Sequence, residues 1–155
     1  MPSVKRARGL AWLWKISMRV DIQTYLPHHI DALVAEDQSS MRWRFTGFYG
    51  HSETCKKEES WTFLKQLSGK MDLPLVIIGD FNEIMHEGEK MGGNHRPASQ
   101  MRHFYDVINR CNLRDLGYIR PDFTWCRRWG SRGWIRERLD CAFVSTNWAT
   151  SFPRS

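Results

Sequence analysis

The sequence has no Cys-x-x-Cys pair, no long apolar run and no segment typical of a secretory leader. The 155 residues include four widely spaced cysteines, Cys55, Cys111, Cys126 and Cys141, and this spacing disfavours a zinc site. The apolar stretch after the basic N-terminus is too short for a signal peptide, and no stretch could cross a membrane. We therefore expect reduced thiols in an intracellular protein, with neither a membrane partner nor a disulfide-linked partner.

Positive charge and aromatic residues are abundant. The net charge is +6, the pI is about 9.4, and the chain has eight tryptophans and eight phenylalanines. With 41% hydrophobic residues, the composition predicts one globular domain with a substantial core. The charge fits an anionic partner such as nucleic acid, although a basic protein without such a partner has the same composition. We expect a disordered basic segment at 1–8 and a domain at 9–155.

Hydrophobic periodicity predicts strands that alternate with two helices. The strands are predicted at 10–14, 21–25, 29–34, 42–49, 75–78, 122–125 and 135–144. One helix is predicted within 52–70 with Ser52 or Thr54 as its cap, and a second after the capping residue Ser99. The buried stripe of the second helix is predicted to be Met101, Phe104, Tyr105, Ile108 and Cys111. This order favours helices that cover a mainly antiparallel sheet.

The segment 83–97 has no periodicity and is predicted to be a long loop. Its charged side chains are expected to be solvated: Glu83, Glu87, Glu89 and Lys90. A loop of this length inside a compact domain often carries function.

A carboxylate and a carboxamide follow the most hydrophobic predicted strand, 75–78. Asp80 and Asn82 are two residues apart, so in an extended chain they point to the same side. Tyr49 ends an earlier strand, and Asp140 lies in the last one. Such groups can orient water, bind a divalent metal and donate to phosphate, as phosphodiester hydrolysis requires. The alternative is a turn in which Asp80 and Asn82 bond to local backbone.

The segment 120–138 is the second candidate for function. It contains six arginines, three tryptophans and two acidic residues, and its charge of +4 is two-thirds of the total. Arginine forks suit phosphates, and tryptophan faces suit unstacked bases. The candidate nucleic-acid-binding residues are Trp125, Arg127, Arg128, Arg132, Arg136 and Arg138. The alternative is an exposed basic hairpin whose tryptophans belong to the core.

Four motifs in fixed order resemble a known family. They are Gly-Asp-Phe-Asn-Glu-Ile at 79–84, Glu-Lys-Met-Gly-Gly at 89–93, Phe-Thr-Trp at 123–125 and Glu-Arg-Leu-Asp at 137–140. Together they are similar to the endonuclease/exonuclease/phosphatase family, and most of all to the apurinic-endonuclease-like domain of plant LINE-type (non-LTR) retrotransposons. The segment 43–50 and Trp148 with Phe152-Pro153 also resemble that branch, so the similarity extends from about Gly9 onward.

The resemblance implies an α/β (α+β) fold, a partial four-layer sandwich of two mainly antiparallel sheets flanked by helices (DNase I-like). It also implies Mg²⁺-dependent cleavage of a DNA phosphodiester, and it is compatible with the nucleus, although the sequence leaves the intracellular compartment open. By position, Tyr49 matches the active-site tyrosine and Asp80 the aspartate that activates water. Asn82 matches the phosphate-binding asparagine, Asp140 the partner of the catalytic histidine, and Trp125 lies in the substrate-facing region.

The resemblance also implies departures from the family. The family's metal-binding glutamate would precede Gly9, and its Ser-Asp-His segment would follow the last residue, so we expect a domain truncated at both ends. No histidine follows Asp140. Of the six histidines, only His51, which lies just after Tyr49, is kept as a remote candidate for a functional residue. We assign no metal ligand, and expect an incomplete active site with weak or absent Mg²⁺ binding. The alternatives are a non-catalytic nucleic-acid-binding remnant of a retroelement polyprotein, and a product with no folded role.

Overall fold

Two sheets organise the computed structural model, which describes residues 10–36, 40–70, 72–118 and 122–153. The segment 1–8, predicted to be disordered, lies outside the described residues. The strands are β1 (Met18–Leu26), β2 (His29–Glu36), β3 (Arg42–Tyr49), β4 (Leu75–Asp80), β5 (Lys90–Met91), β6 (Leu113–Asp115), β7 (Trp125–Arg128), β8 (Trp134–Glu137) and β9 (Asp140–Ser145). The helices are α1 (Lys57–Ser68), α2 (Ala98–Arg110) and α3 (Thr146–Ser151).

The larger sheet has the strand order β1-β2-β3-β4-β9-β6, and the smaller sheet has the order β5-β8-β7. The β3–β4 pair is parallel, and the other pairs are antiparallel. This arrangement confirms the predicted mixed α/β class with two mainly antiparallel sheets. None of the helices formed by the described residues is long and apolar enough to span a membrane.

The core lies between the larger sheet and the helices α1 and α2. Phe48, Phe81, Phe104 and Phe143 are almost fully buried, and the Phe81 ring lies 4.8 Å from both the Phe48 and Phe143 rings. Trp61 of α1 stacks on Phe104 of α2 at 4.7 Å, which joins the two helices. Each such ring contributes about 1.5–3 kcal/mol by leaving water, so this cluster anchors β3 and β4 beneath their ends.

Several local predictions were wrong where tertiary contacts decide the structure. Residues 10–14 form no strand, and Trp12 instead stacks on Phe45 at 4.3 Å. The predicted strand 135–144 is divided between β8 and β9, which belong to different sheets. The predicted strand 122–125 gives way to β7, which starts only at Trp125.

The helix ends also differ from the predictions. No side chain caps α1 or α2, so Ser52, Thr54 and Ser99 do not have the predicted role. Tyr105 is 52% exposed, whereas Val107 takes its place on the buried stripe. The phenol oxygen of Tyr105 keeps its access to water there, while the branched side chain of Val107 has no polar atom to satisfy.

Candidate active site

Three strand ends meet at one edge of the larger sheet. Because β3 and β4 are parallel, both end at this edge, and β9 begins there because it is antiparallel to β4. In the register, Tyr49 is opposite Asp80, and Asp80 is opposite Asp140. Residues that are paired directly across strands share a face of the sheet, so the three side chains form one row. We call this row, together with Asn82, the strand-end site.

Asp80 and Asn82 form a turn that is tied to the end of β3. The Asn82 backbone N–H donates to Asp80 Oδ1 at 2.8 Å, as the turn alternative predicted. Asn82 has φ +53°, so the chain is not extended there and the side-by-side arrangement expected of a strand is wrong. The carboxamide Nδ2 of Asn82 donates to the carbonyl of Gly50 at 2.8 Å. The turn therefore holds the carboxamide against the residue that follows Tyr49.

Close backbone packing requires glycine on both sides of this turn. A Cβ at Gly50 would lie 2.5 Å from the carbonyl oxygen of Phe81, closer than side-chain carbons approach. A Cβ at Gly79 would overlap the carbonyl oxygen of Phe48. Both glycines thus let β3 and β4 approach closely at the point where the polar side chains emerge.

Asp140 is positioned by Thr124 of the Phe-Thr-Trp motif. The backbone N–H groups of Leu139 and Asp140 donate to Thr124 Oγ1 at 3.1 and 3.0 Å. The Asp140 side chain itself is exposed at the sheet edge. Sequence reasoning missed Thr124, although its motif precedes the Asp140 motif in the resemblance.

Two histidines lie beside Tyr49. The His28 ring is 4.0 Å from the His51 ring, and His28 Nδ1 is 3.2 Å from the Tyr49 carbonyl oxygen. Burial lowers the pKa of His51 and neighbouring His28 lowers it further, although Glu59, 3.6 Å from its Nε2, acts in the opposite direction. Sequence reasoning kept His51 but missed His28, which lies in the turn between β1 and β2, far from Tyr49 in the chain.

Of the loop residues expected to be solvated, Glu83 and Glu89 are almost fully buried and the Lys90 side chain is 10% exposed, so that prediction was wrong for these three. Glu83 contacts Lys57 Nζ, and Arg96 Nε lies 3.3 Å from its other oxygen. Arg96 also donates to Glu137 of β8 at 3.0 Å. Buried charges are tolerated only when they are paired, and this network pairs them directly behind Asn82.

Arg138 occupies a second buried ionic cluster rather than the protein surface. Its guanidinium donates to Asp115 at 2.6 and 2.8 Å and to Glu89 at 2.7 Å. The bonds to Asp115 raise the pKa of Arg138. The Tyr118 ring lies 4.7 Å from the same guanidinium carbon. Direct contact of Arg138 with nucleic acid does not fit this placement, because carboxylates already occupy its donors.

The hairpin β7–β8 carries most of the remaining predicted nucleic-acid-binding residues. Its exposed residues include Trp125, Arg127, Arg128, Trp134 and Arg136, which we call the hairpin surface. Trp134 is 55% exposed and is paired directly across from Arg128, while the Arg127 guanidinium carbon lies 5.9 Å from the Trp125 ring. The alternative that the hairpin tryptophans belong to the core is wrong for Trp125 and Trp134. Arg132 lies in the 3₁₀ turn Gly130–Arg132 between the two strands.

The donors for a divalent metal at the strand-end site are few. Within the part of the chain that the structure describes, no group of three or more histidine, cysteine, aspartate or glutamate side chains could hold a metal ion. Asp80 and Asp140, opposite each other in the register, provide two carboxylates. Mg²⁺ is commonly held by one or two carboxylates together with waters and substrate phosphates, so this pair fits a shared site with substrate.

Several solved structures are similar to this chain. The endonuclease domain of TRAS1, a telomere-specific non-LTR retrotransposon, matches with a TM-score of 0.68 and 14% identity, over 94% of this chain and 70% of that domain. An endonuclease/exonuclease/phosphatase family protein from Bacteroides thetaiotaomicron matches with a TM-score of 0.48 and 17% identity, over 76% of this chain and 41% of that one. TDP2 from D. rerio, complexed with a single-strand DNA product, has a TM-score of 0.48 and 13% identity, over 84% of this chain and 52% of that one.

The chain therefore spans about half or less of the last two structures. No protein-family model matches the sequence, and no curated protein matches it significantly. At 14% identity, the likeness to the TRAS1 domain concerns the fold alone. The described residues thus have the fold of the TRAS1 endonuclease domain, in agreement with the DNase I-like fold that the motifs predicted.

Proposed function

We propose that this chain belongs to the endonuclease/exonuclease/phosphatase family, in the branch of plant LINE-type retrotransposons, and that its strand-end site hydrolyses DNA phosphodiesters with Mg²⁺. The observation that carries the proposal is the register that places Tyr49, Asp80 and Asp140 in one row beside Asn82. Rigid strands fix the positions of these groups, as catalytic groups require.

Each residue of the site has a distinct role in this proposal. Asp80 orients the attacking water, because its carboxylate lies at the end of a central strand. Asn82 uses one carboxamide N–H for Gly50, and the second N–H is the donor for a phosphate oxygen. Tyr49 donates to the phosphate from the adjacent strand. Asp140 orients a proton-transfer group or a water on the other side of Asp80.

Asp80 is the residue of the strand-end site that would hold Mg²⁺, with Asp140 as the neighbouring carboxylate. Bound Mg²⁺ would neutralise charge that develops on the phosphate during hydrolysis. With two protein carboxylates, the site relies on substrate oxygens to complete the coordination, so metal binding without DNA is expected to be weak.

The hairpin surface provides the contact with DNA in this proposal. Arg127, Arg128 and Arg136 can each pair with a phosphate, and the exposed Trp134 offers a face to an unstacked base. Such binding is independent of sequence to first order and weakens steeply as salt increases.

The second candidate function is nucleic-acid binding without catalysis. It is favoured by the exposed hairpin surface and by the small number of carboxylates at the strand-end site. The two functions differ in what Asp80 does, because only hydrolysis requires its carboxylate.

Nicking of supercoiled plasmid with Mg²⁺ tests the proposal. Asp80→Asn should abolish nicking, as should EDTA, while Asp106→Asn, a change at an exposed position of α2, should leave it unchanged. Circular dichroism checks that each variant is folded. Absence of nicking by the folded chain, with salt-dependent DNA binding that survives Asp80→Asn, would favour the binding function.

A further inference from the structure

A buried lysine from α1 lies behind the strand-end site. The Lys57 side chain is 7% exposed, and its Nζ donates to the backbone carbonyl of Asn82 at 2.8 Å and to Glu83 Oε2. Burial lowers the pKa of Lys57, while the bond to Glu83 raises it. Burial of the Lys57 ammonium group costs free energy because the group loses its contact with water. Its two hydrogen-bond partners compensate for that cost.

Three hydrogen bonds hold Asn82, one at each of three different atoms. Its N–H donates to Asp80, its Nδ2 donates to Gly50, and its carbonyl oxygen accepts from Lys57. The left-handed backbone at Asn82, with φ +53°, is less favourable for a non-glycine residue than the right-handed or extended regions. Of these three partners, Lys57 is the one that belongs to a helix, and it precedes Asn82 by 25 residues in the chain.

We propose that Lys57 is a positioning residue, which holds Asn82 in the conformation that presents its carboxamide to substrate. The catalytic part of this inference rests on the proposed function, because the role of Asn82 toward phosphate does so. Lys57 itself touches the Asn82 backbone rather than the reacting atoms. Its loss should therefore release the Asn82 turn while β4 and the helices stay in place.

Lys57→Met is the first variant, because it keeps much of the aliphatic stem and removes the ammonium group. Glu83 keeps its pairing with Arg96 in this variant. The matched control is Lys65→Met on the same helix, where the lysine pairs with Glu58 at the surface. Hydrogen exchange at the Asn82 amide, which donates to Asp80, reports the turn directly.

We expect Lys57→Met to speed exchange at the Asn82 amide about tenfold, the effect of losing one buried hydrogen bond. Exchange at the fully buried Ile77 should rise less than exchange at Asn82, because only the Asn82 turn loses a hydrogen bond, and Lys65→Met should leave both amides unchanged. An equal rise at Ile77 would show a general loss of stability and overturn the inference. An unchanged rate at Asn82 would also overturn it.

Kinetics separate this inference from the proposed function. If the unmodified chain nicks plasmid, Lys57→Met should lower kcat about 10- to 100-fold and change KM less than threefold, because misplacement of a catalytic group by about 1 Å can cost about 100-fold. If the unmodified chain does not nick, the proposed function fails, while the exchange experiment still decides whether Lys57 holds Asn82.

A measurement on the unmodified chain covers the case in which Lys57→Met does not fold. Nitrogen-15 NMR should detect a slowly exchanging ammonium group for Lys57, because Asn82 and Glu83 bind it away from water. The ammonium of Lys65 should exchange too fast to observe, since it lies at the surface. Equally fast exchange of both groups would refute the positioning role.

Discussion

Replacement of Arg138 by methionine tests whether this arginine stabilises the fold or binds nucleic acid. The Arg138 side chain is 4% exposed and makes three hydrogen bonds to Asp115 and Glu89. Methionine fills much of the same volume but removes the guanidinium from Glu89, which is 3% exposed and, among the described residues, has only the exposed His86 ring, at 3.8 Å, as another potential cation. The protein therefore keeps a buried carboxylate that has lost its counter-charge.

The loss of one partner from a buried ion pair costs about 3–5 kcal/mol. A domain of this size has a free energy of unfolding of about 5–15 kcal/mol, so Arg138→Met should remove about a fifth of it or more. Each kcal/mol corresponds to about 2–4 °C in a chain of this length, which predicts a fall in Tm of about 6–20 °C. Arg136, two residues away on β8, is exposed, so Arg136→Met should change stability by less than about 0.5 kcal/mol.

Urea unfolding followed by tryptophan fluorescence measures both variants. DNA affinity measured against salt concentration should be affected more by Arg136→Met than by Arg138→Met. Arg136→Met removes a cation from the hairpin surface, so the slope of log affinity against log salt concentration should fall by about one. Folded Arg138→Met should keep the slope of the unmodified chain. A loss of less than about 1 kcal/mol for Arg138→Met, or an equal loss for Arg136→Met, would refute the structural account of Arg138.

Two further predictions concern packing and thiol chemistry. Gly79→Ala should prevent stable folding, because its Cβ would overlap the Phe48 carbonyl, whereas Gly69→Ala should fold normally. Thermal melts compare the two variants. A Gly79→Ala variant as stable as the unmodified chain would contradict the close packing at Gly79. At pH 8, a thiol reagent should label the two exposed cysteines of the native protein quickly and spare Cys111 and Cys141, because burial raises the pKa of both thiols, that of Cys141 to about 12. Labelling of all four cysteines at the denatured rate, counted by mass spectrometry, would argue against the buried positions.

Local patterns predicted the strands that carry the site, but not their pairing. Alternation identified β3 correctly and placed Tyr49 at its end, yet the parallel pairing of β3 with β4 depends on contacts far apart in the chain. Alternation also could not show that the Arg44 face of β3 is the buried one. The same face carries the core residue Phe48, and Arg44 can be buried beside it because it makes two hydrogen bonds to the fully buried Asp31 of β2.

The burial of charged residues in the loop 83–97 could not be predicted from the sequence for a related reason. Glu83 is buried with Lys57, 26 residues earlier, and Glu89 with Arg138, 49 residues later. A charged residue in a loop is usually solvated, and only its distant partner makes burial tolerable. The sequence therefore predicted the catalytic candidates by motif, but not the ionic network behind them.

The position of β4 at the centre of the larger sheet has a consequence for synthesis of the chain. Its second neighbour, β9, is supplied much later, and the N–H of Leu75 bonds to Ser145, 70 residues further along. At about 5–20 residues per second, a ribosome needs about 4–14 s to make that intervening segment. During this time an apolar strand has one open edge, which is a template for pairing with other chains. Chaperone binding to nascent chains that end between β4 and β9 is therefore expected to exceed binding to chains that include β9.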